Sequence, residues 1–346
     1  MAKHEMYLAV KIGAYKISLM YPLAARKPPQ DLYVKVFTLY EMLRIADIIE
    51  DSNTDRKEEL LNLHSESLFK EEFSKEVDNF VKKNASTKQE KAAADYYFLF
   101  FGEFIRLSDE TKKIIASTNK GVMPGMINNS YNDIKSWDQQ HEYAGYVAGE
   151  VGAGLTKLFA QHIDTDNLES FVKKGYRQGI ALQKINILRD LREDISNGRN
   201  YIPEELLDMN HLKRKDLFTV HRMDEDELFR NNDNKILQRQ NQVIKTLALN
   251  AQYFLEDGLK YVMHIPLYEK KSPKHEYSRG IRIFSTALLL GGQEIIYNIY
   301  NNPSLVEKSY RPKSVLMKCG ISAPMIWDDD KTIRQQFYSK KIREKI

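Results

Sequence analysis

The chain has 346 residues, 42% of them hydrophobic, enough for a sizeable core in one large or two ordinary domains. Its 52 basic and 48 acidic side chains leave a net charge of +4, too small a surplus for a dedicated nucleic-acid binder. One cysteine, Cys319, excludes an internal disulfide and a cysteine-built zinc site, and fits a reducing compartment.

The start, Met1-Ala-Lys-His-Glu-Met6, lacks the basic and apolar run of a signal peptide. The longest apolar runs, such as residues 283 to 290, fall short of the ~20 residues that span a bilayer. A cytoplasmic protein without a transmembrane anchor is therefore expected. Helix-period patterning dominates and alternating β-branched runs are scarce, so the fold class is all-α, read as a single domain over residues 1–346.

Residues 31 to 51 read as one long helix. Within it Asp47 and Asp51 stand at i, i+4, and Arg44 and Tyr40 lie on the same face, three and seven residues before Asp47. Residues 52 to 58 form a polar loop, either a flap over a ligand or an ordinary connection. Residues 71 to 94 read as a solvated amphipathic helix with a loop near Ala85. Tyr96 to Ile105 is an apolar, aromatic helix, either for the interior or for the wall of a substrate pocket. Gly121, Pro124 and Gly125 predict a kink or break. Gly145, Gly149, Gly152 and Gly154 follow no predicted strand and match no nucleotide-binding loop; they fit a helix that approaches a neighbour closely.

The stretch Gln183-Lys-Ile-Asn-Ile-Leu-Arg-Asp-Leu-Arg-Glu-Asp194 reads as a helix with Gln183, Asn186, Asp190 and Asp194 along one face and Ile185, Ile187, Leu188 and Leu191 toward a core. Oxygen-only ligands of this kind suit a hard divalent cation such as Mg²⁺ holding a phosphate group. A solvated helix face with charges at i, i+4 is the competing reading. The second acidic pair, Asp47 and Asp51, shifts the balance. Two such faces across a pocket could hold several ions and, with Arg44, neutralise a diphosphate. Residues 208 to 236 read as a surface excursion, residues 236 to 263 and 277 to 300 as long helices, and 326–346 as a flexible polar tail. That tail is a frayed terminus or a short basic end that touches a membrane. His141 is read as structural in preference to a base.

Three motifs in order resemble the squalene/phytoene synthase family, the head-to-head prenyl diphosphate synthases. They are Tyr40…Arg44…Asp47…Asp51, then Tyr143-Ala-Gly-Tyr-Val-Ala-Gly-Glu-Val-Gly152, then Leu182-Gln-Lys-x-Asn-Ile-x-Arg-Asp-x-x-Glu-Asp194 with Gly198-Arg199 and Pro203-x-Glu205. The resemblance covers roughly residues 10 to 320 and is nearest in wording to squalene synthase. It implies an isoprenoid synthase helical bundle around a central pocket. Asp47, Asp51, Asn186, Asp190 and Asp194 would be metal ligands, and Tyr143 would act with these aspartates in catalysis. Lys16, Tyr40, Arg44, Tyr146, Gln183, Arg189 and Arg199 would bind substrate, and Glu50 and Glu193 would support the ligands. Near the start the family often carries Ser-Arg/Lys-Ser-Phe; here Tyr15-Lys16-Ile17-Ser18 keeps only the charge. The implied reaction condenses two farnesyl diphosphates with Mg²⁺ through a cyclopropyl diphosphate, then reduces the product to squalene with NADPH. A phytoene or dehydrosqualene synthase needs no reductant. Arg311 and Lys313 are candidates for the NADPH phosphates, or a surface basic pair. A monomer or homodimer is expected, with peripheral membrane contact where the oily product leaves. A head-to-tail elongase, a terpene cyclase and a non-catalytic scaffold are the competing classes.

Overall fold

The structure, a computed structural model, describes residues 29–217, 231–308, 323 and 325–342. Among them every regular element is a helix, and the sole β pairing is an isolated parallel bridge between Asp133 and Asn200. The chain forms two compact units.

The first unit comprises residues 29–127, 150–173 and 264–285. Its spine is α1, Gln30–Asp51, in which 13 of 22 residues are buried. Around α1 pack α2 (Lys57–Lys70), α3 (Lys75–Asn84), α4 (Lys88–Arg106), α5 (Asp109–Ile127) and α7 (Glu150–Ala160). Each fully buried Leu, Ile or Phe there contributes roughly 1.5–3 kcal/mol. Local signals set the boundaries. Ser74 Oγ accepts from Val77 N–H at the start of α3, and Thr87 with Glu90 makes a capping box for α4. The polar stretch after Asp51 is a short connection from Ser52 to Arg56. His64 on α2 is buried between α1 and α4. Because the Met42 carbonyl can only accept, His64 Nε2 donates to it at 3.0 Å and Nδ1 accepts from Tyr97 O–H at 3.1 Å. Burial holds this imidazole neutral, down to about 4.

At residues 119–126, where a kink or break is expected, the helix is not broken. Pro124 sits inside α5 in its last turn, and burial of Val122, Met123 and Met126 carries the helix through. Tertiary burial here outweighs the lost backbone donor.

The second unit comprises residues 128–149, 174–217, 231–263, 286–308, 323 and 325–342. Three long helices supply its core: α8 (Leu168–Ser196), α10 (Asn231–His264) and α11 (His275–Asn301). Ile185, Leu188 and Leu191 of α8 share one cluster with Val243, Leu247 and Leu255 of α10 and Leu289, Ile296 and Ile299 of α11. Shorter elements are α6 (Trp137–Ala144), α9 (Glu204–Met209) and α12 (Asp330–Ser339).

The tail expected to be flexible is packed over residues 330–342. Ile333, Phe337 and Ile342 join this core. Two buried glutamines pin its backbone: Gln252 exchanges hydrogen bonds with the N–H and C=O of Ile342 (2.7 and 3.1 Å), and Gln293 Nε2 donates to the Lys340 carbonyl at 2.7 Å. No helix among the described residues is long and apolar enough to cross a membrane.

Candidate active site

In the first unit α1 carries Tyr40, Arg44, Asp47 and Asp51 along one face, as the spacing predicts. Arg44 Nη2 donates to Tyr40 Oη at 2.7 Å, its guanidinium lies 5.4 Å from the Tyr40 ring centre, and Nη1 is 3.4 Å from Asp47 Oδ2. Arg44 Nε is buried without a hydrogen-bond partner. Asp47 opens to solvent with 39% of its side chain exposed. Surrounding protein, with the Asp51 and Glu90 carboxylates, pushes it up to about 6 against the pull of Arg44.

In the second unit α8 carries Gln183, Asn186, Asp190 and Asp194 along one partly open face, with Asn186 Nδ2 3.4 Å from Gln183 Oε1. Arg189 grips Asp190 through both Nε (2.8 Å) and Nη2. Asp194 is pushed up to about 7 by burial and by Asp190 and Glu193, with Arg199 and Arg189 opposing. The Gly198-Arg199 pair has a geometric reason. Gly198 adopts φ +77°, its N–H reaches the Ile195 carbonyl, and Arg199 N–H reaches the Asp194 carbonyl at 2.9 Å. This left-handed C-terminal motif ends α8 and folds Arg199 back beside Asp194. The chain then makes its bridge, Asn200 N–H to Asn132 O at 2.7 Å and Ile134 N–H to Asn200 O at 3.0 Å. Glu205 Oε1 accepts from Trp137 N–H at 2.6 Å and so holds the start of α6.

The Tyr143 to Gly152 segment is where α6 leaves α-geometry. Residues 145–149 form one π turn before α7. Tyr143 is buried and stacks on Tyr201 at 4.8 Å, with Tyr131 at 5.5 Å, and Tyr146 is partly buried 6.3 Å from Tyr131. A Cβ at Gly149 would stand 2.7 Å from the Tyr176 ring, and one at Gly145 would strike the Tyr176 hydroxyl. The glycines thus serve close helix approach, as expected. Lys16, Arg311 and Lys313 lie outside the described residues.

The family model for squalene/phytoene synthase matches residues 18–314. The chain belongs to the squalene/phytoene synthase family. Squalene synthase 1 of Arabidopsis thaliana is 27% identical over 260 residues, 72% of this chain, and the chain spans 57% of that relative's length. The solved structure of TcSQS in complex with the ligand E5700 matches with a TM-score of 0.76 at 17% identity, covering 98% of this chain and 93% of that one. A dehydrosqualene synthase in complex with ligand matches at 0.58 and 16% identity, covering 93% and 96%. These likenesses show the fold, the all-α isoprenoid synthase fold. Members of the family are prenyltransferase-type enzymes, bind isoprenoid diphosphates and depend in general on magnesium.

The donor chemistry of both faces fits a hard cation. Each presents carboxylates at i, i+4, and in each pair one carboxyl is raised, by burial first and by its acidic neighbours second, a penalty on its charge that a bound cation would relieve. Among the described residues no three acidic, histidine or cysteine side chains converge to cage an ion unaided. An ion shared with a diphosphate suits such sparse ligands. Composition and spacing missed two buried ionisable groups beside these motifs. Glu41 is 0% exposed, both its carboxyl oxygens lack partners, and burial pushes it up to about 8. Lys184, next to Gln183, is buried on the opposite side of α8. It donates to Gln140 Oε1 at 2.7 Å and sits 4.9 Å from the Phe254 ring; burial lowers it to about 8. Its neighbour His141 packs 4.6 Å from the same ring, in keeping with a structural role.

Proposed function

We propose that this chain, acting over residues 1–346 as one synthase domain, condenses two farnesyl diphosphates head to head (1′-1) through presqualene diphosphate to squalene. The observation that carries the reading is Arg44. Its guanidinium is oriented by Tyr40 and Asp47, and its Nε–H is buried with no acceptor. That Nε–H is out of reach of solvent, so a ligand oxygen would be met by the terminal nitrogens of the guanidinium, on a side chain that is 25% exposed.

Asp47 and Asp51, with Asn186, Asp190 and Asp194, would hold Mg²⁺, which when bound supplies positive charge to the departing diphosphate. Arg44 would donate to diphosphate oxygens. Arg199, beside Asp194, and Arg189, once released from Asp190, would add charge at the second face. Tyr40, Gln183 and Tyr146 would complete the polar rim, and Lys16 would add a further cation. Tyr143, locked by its stack on Tyr201, would orient the segment that bears Tyr146. The apolar wall below the α1 motif, which includes Phe37 in edge contact with Phe100 at 5.4 Å, would exclude water from allylic cations. The first condensation would release one diphosphate and, as the cyclopropane closes, one proton. The second ionisation would release the other diphosphate, and NADPH would supply the hydride for the final cation.

Product analysis tests this directly. With farnesyl diphosphate and Mg²⁺ the purified protein should accumulate the cyclopropyl diphosphate and form squalene only when NADPH is added. A C40 product from geranylgeranyl diphosphate, or dehydrosqualene indifferent to NADPH, would place it on the carotenoid branch. Peripheral membrane contact and a monomeric or dimeric state belong to the same proposal.

A further inference from the structure

The second unit holds a buried ammonium that the acidic face of α8 does not use. Lys184 is 5% exposed, and its Nζ lies 4.9 Å from the ring centre of Phe254 and 5.6 Å from that of Trp137. Among the described residues no carboxylate pairs with it, and its one hydrogen bond goes to Gln140 Oε1 at 2.7 Å. An ammonium can only donate, so Gln140 must turn its oxygen toward Lys184 and its amide N–H elsewhere. That N–H donates to the Tyr201 carbonyl at 2.7 Å. Gln140 is 1% exposed, so the whole link is dry. Gln140 and Tyr143 stand at i, i+3 on α6 and grip the same residue. Gln140 holds the Tyr201 backbone, and the Tyr143 ring stacks on the Tyr201 ring at 4.8 Å. Tyr201 follows Arg199 by two residues, and the end of α8 folds Arg199 back beside Asp194.

A link between helices made for stability alone would be served by apolar side chains. Burying a lone charge costs desolvation, and replacing buried charge by hydrophobic residues of similar volume is often neutral or stabilising. What the ammonium adds is direction. It leaves the Gln140 amide one orientation, and the amide in turn fixes the Tyr201 peptide. We propose that Lys184 and Gln140 are positioning residues of the synthase site, which set the Tyr201–Tyr143 stack and the placement of Arg199 without touching substrate. The inference rests on the proposed reaction for the use of that site, whereas the contacts that carry it do not.

Lys184→Met keeps an unbranched side chain, removes the charge and frees the Gln140 amide. Its melting temperature should stay within about 3 °C of wild type, because relief of the buried charge offsets the lost hydrogen bond. With farnesyl diphosphate, kcat should fall about tenfold and KM should change less than about threefold, since no diphosphate contact is removed. Amide hydrogen exchange in the full chain should quicken about tenfold across residues 199–203 and stay unchanged across the α10 core, residues 243–255. Gln140→Glu is the second variant. It keeps an acceptor for Lys184, removes the donor to Tyr201, and should show the same exchange and the same fall in kcat. Wild-type kcat per folded molecule, or unchanged exchange at residues 199–203, would overturn the assignment. A wild type that forms no product would instead remove the synthase reading, and exchange at residues 199–203 would still decide whether Lys184 and Gln140 hold this segment.

Discussion

Glu41 gives a sharp test of how charge is handled beside the α1 motif. Its carboxyl is fully buried, has no hydrogen-bond partner, and is raised from 4.5 to about 8. Burial is the main cause, and Arg44 offsets only part of it. Between these two values the folded state binds a proton that the unfolded state releases, so stability falls as pH rises through the window from about 4.5 to 8. At pH 7 the cost is on the order of 3 kcal/mol, from about 1.4 kcal/mol per pH unit. Glu41→Gln removes the titration while keeping the shape, and Glu41→Leu also removes the unpaired polar atoms. Urea unfolding followed by far-UV circular dichroism from pH 5 to 8.5 should show wild type and the Gln variant converging at the acid end. They should separate by roughly 2–4 kcal/mol near pH 7.5, with the variant more stable. Taking the difference between the two proteins cancels the other groups that titrate in this range, Asp47 and Asp194 among them. Parallel pH curves would refute the reasoning, because they would mean that Glu41 has the same proton affinity folded and unfolded.

Four further outcomes follow from the geometry. Asp47→Asn and Asp190→Asn should each lower product formation by at least about 100-fold with an unchanged helical spectrum, and EDTA should do the same to wild type; full turnover in either variant would remove the metal assignment. Arg44→Ala should cost about 2–5 kcal/mol in kcat/KM for the diphosphate substrate, as expected when a charged hydrogen bond is removed from a dry site, whereas unchanged kinetics would make Arg44 a charge balance for its own helix. Gly179→Ala places a Cβ against the Ala148 carbonyl, a backbone atom that cannot rotate away, and should destabilise by roughly 3 kcal/mol or more in thermal unfolding. Deleting residues 335–346 removes the buried Phe337 and Ile342 and should destabilise by at least about 3–5 kcal/mol; an unchanged melting temperature would show that the tail is not held.

Much of the candidate site was legible because a helix converts spacing into direction. The i, i+4 carboxylates, Arg44 before Asp47 and Asn186 before Asp190 all fall where the 3.6-residue period places them. The glycines of the Tyr143 segment were legible as points of close approach, although that Tyr176 is what they meet was not. What escaped depends on distant partners. Glu41 follows Tyr40 in a polar motif and reads as one more surface charge. Phe37 meets Phe100 and Asp47 feels Glu90, so α4 runs antiparallel to α1 and sets its buried Ala93, Ala94 and Tyr97 at the level of Glu41. Burial there is decided by the helices packed around α1, α4 among them, and no local pattern announces it.

The C-terminal segment makes the same point from the opposite side. Residues 330–346 are dominated by charge, and charge reads as solvation. Yet Ile333 and Phe337 stand at i, i+4, which is a core-facing stripe on a short amphipathic helix. Asp329 caps this helix, its Oδ1 accepting from Thr332 N–H at 2.9 Å. The lysines do not oppose docking, because their stems can lie along apolar surface while the ammonium stays wet: Lys340 Nζ sits 4.6 Å from the Tyr297 ring and Lys341 pairs with Glu256 at 2.7 Å. The deciding contribution is Gln252 and Gln293, two buried amides on α10 and α11 that bond each other at 3.2 Å and spend their other hydrogen bonds on the backbone of residues 340–342. A buried glutamine on an otherwise apolar helix face therefore carries information about the segment it must meet, and the composition of the tail itself is the poorer guide.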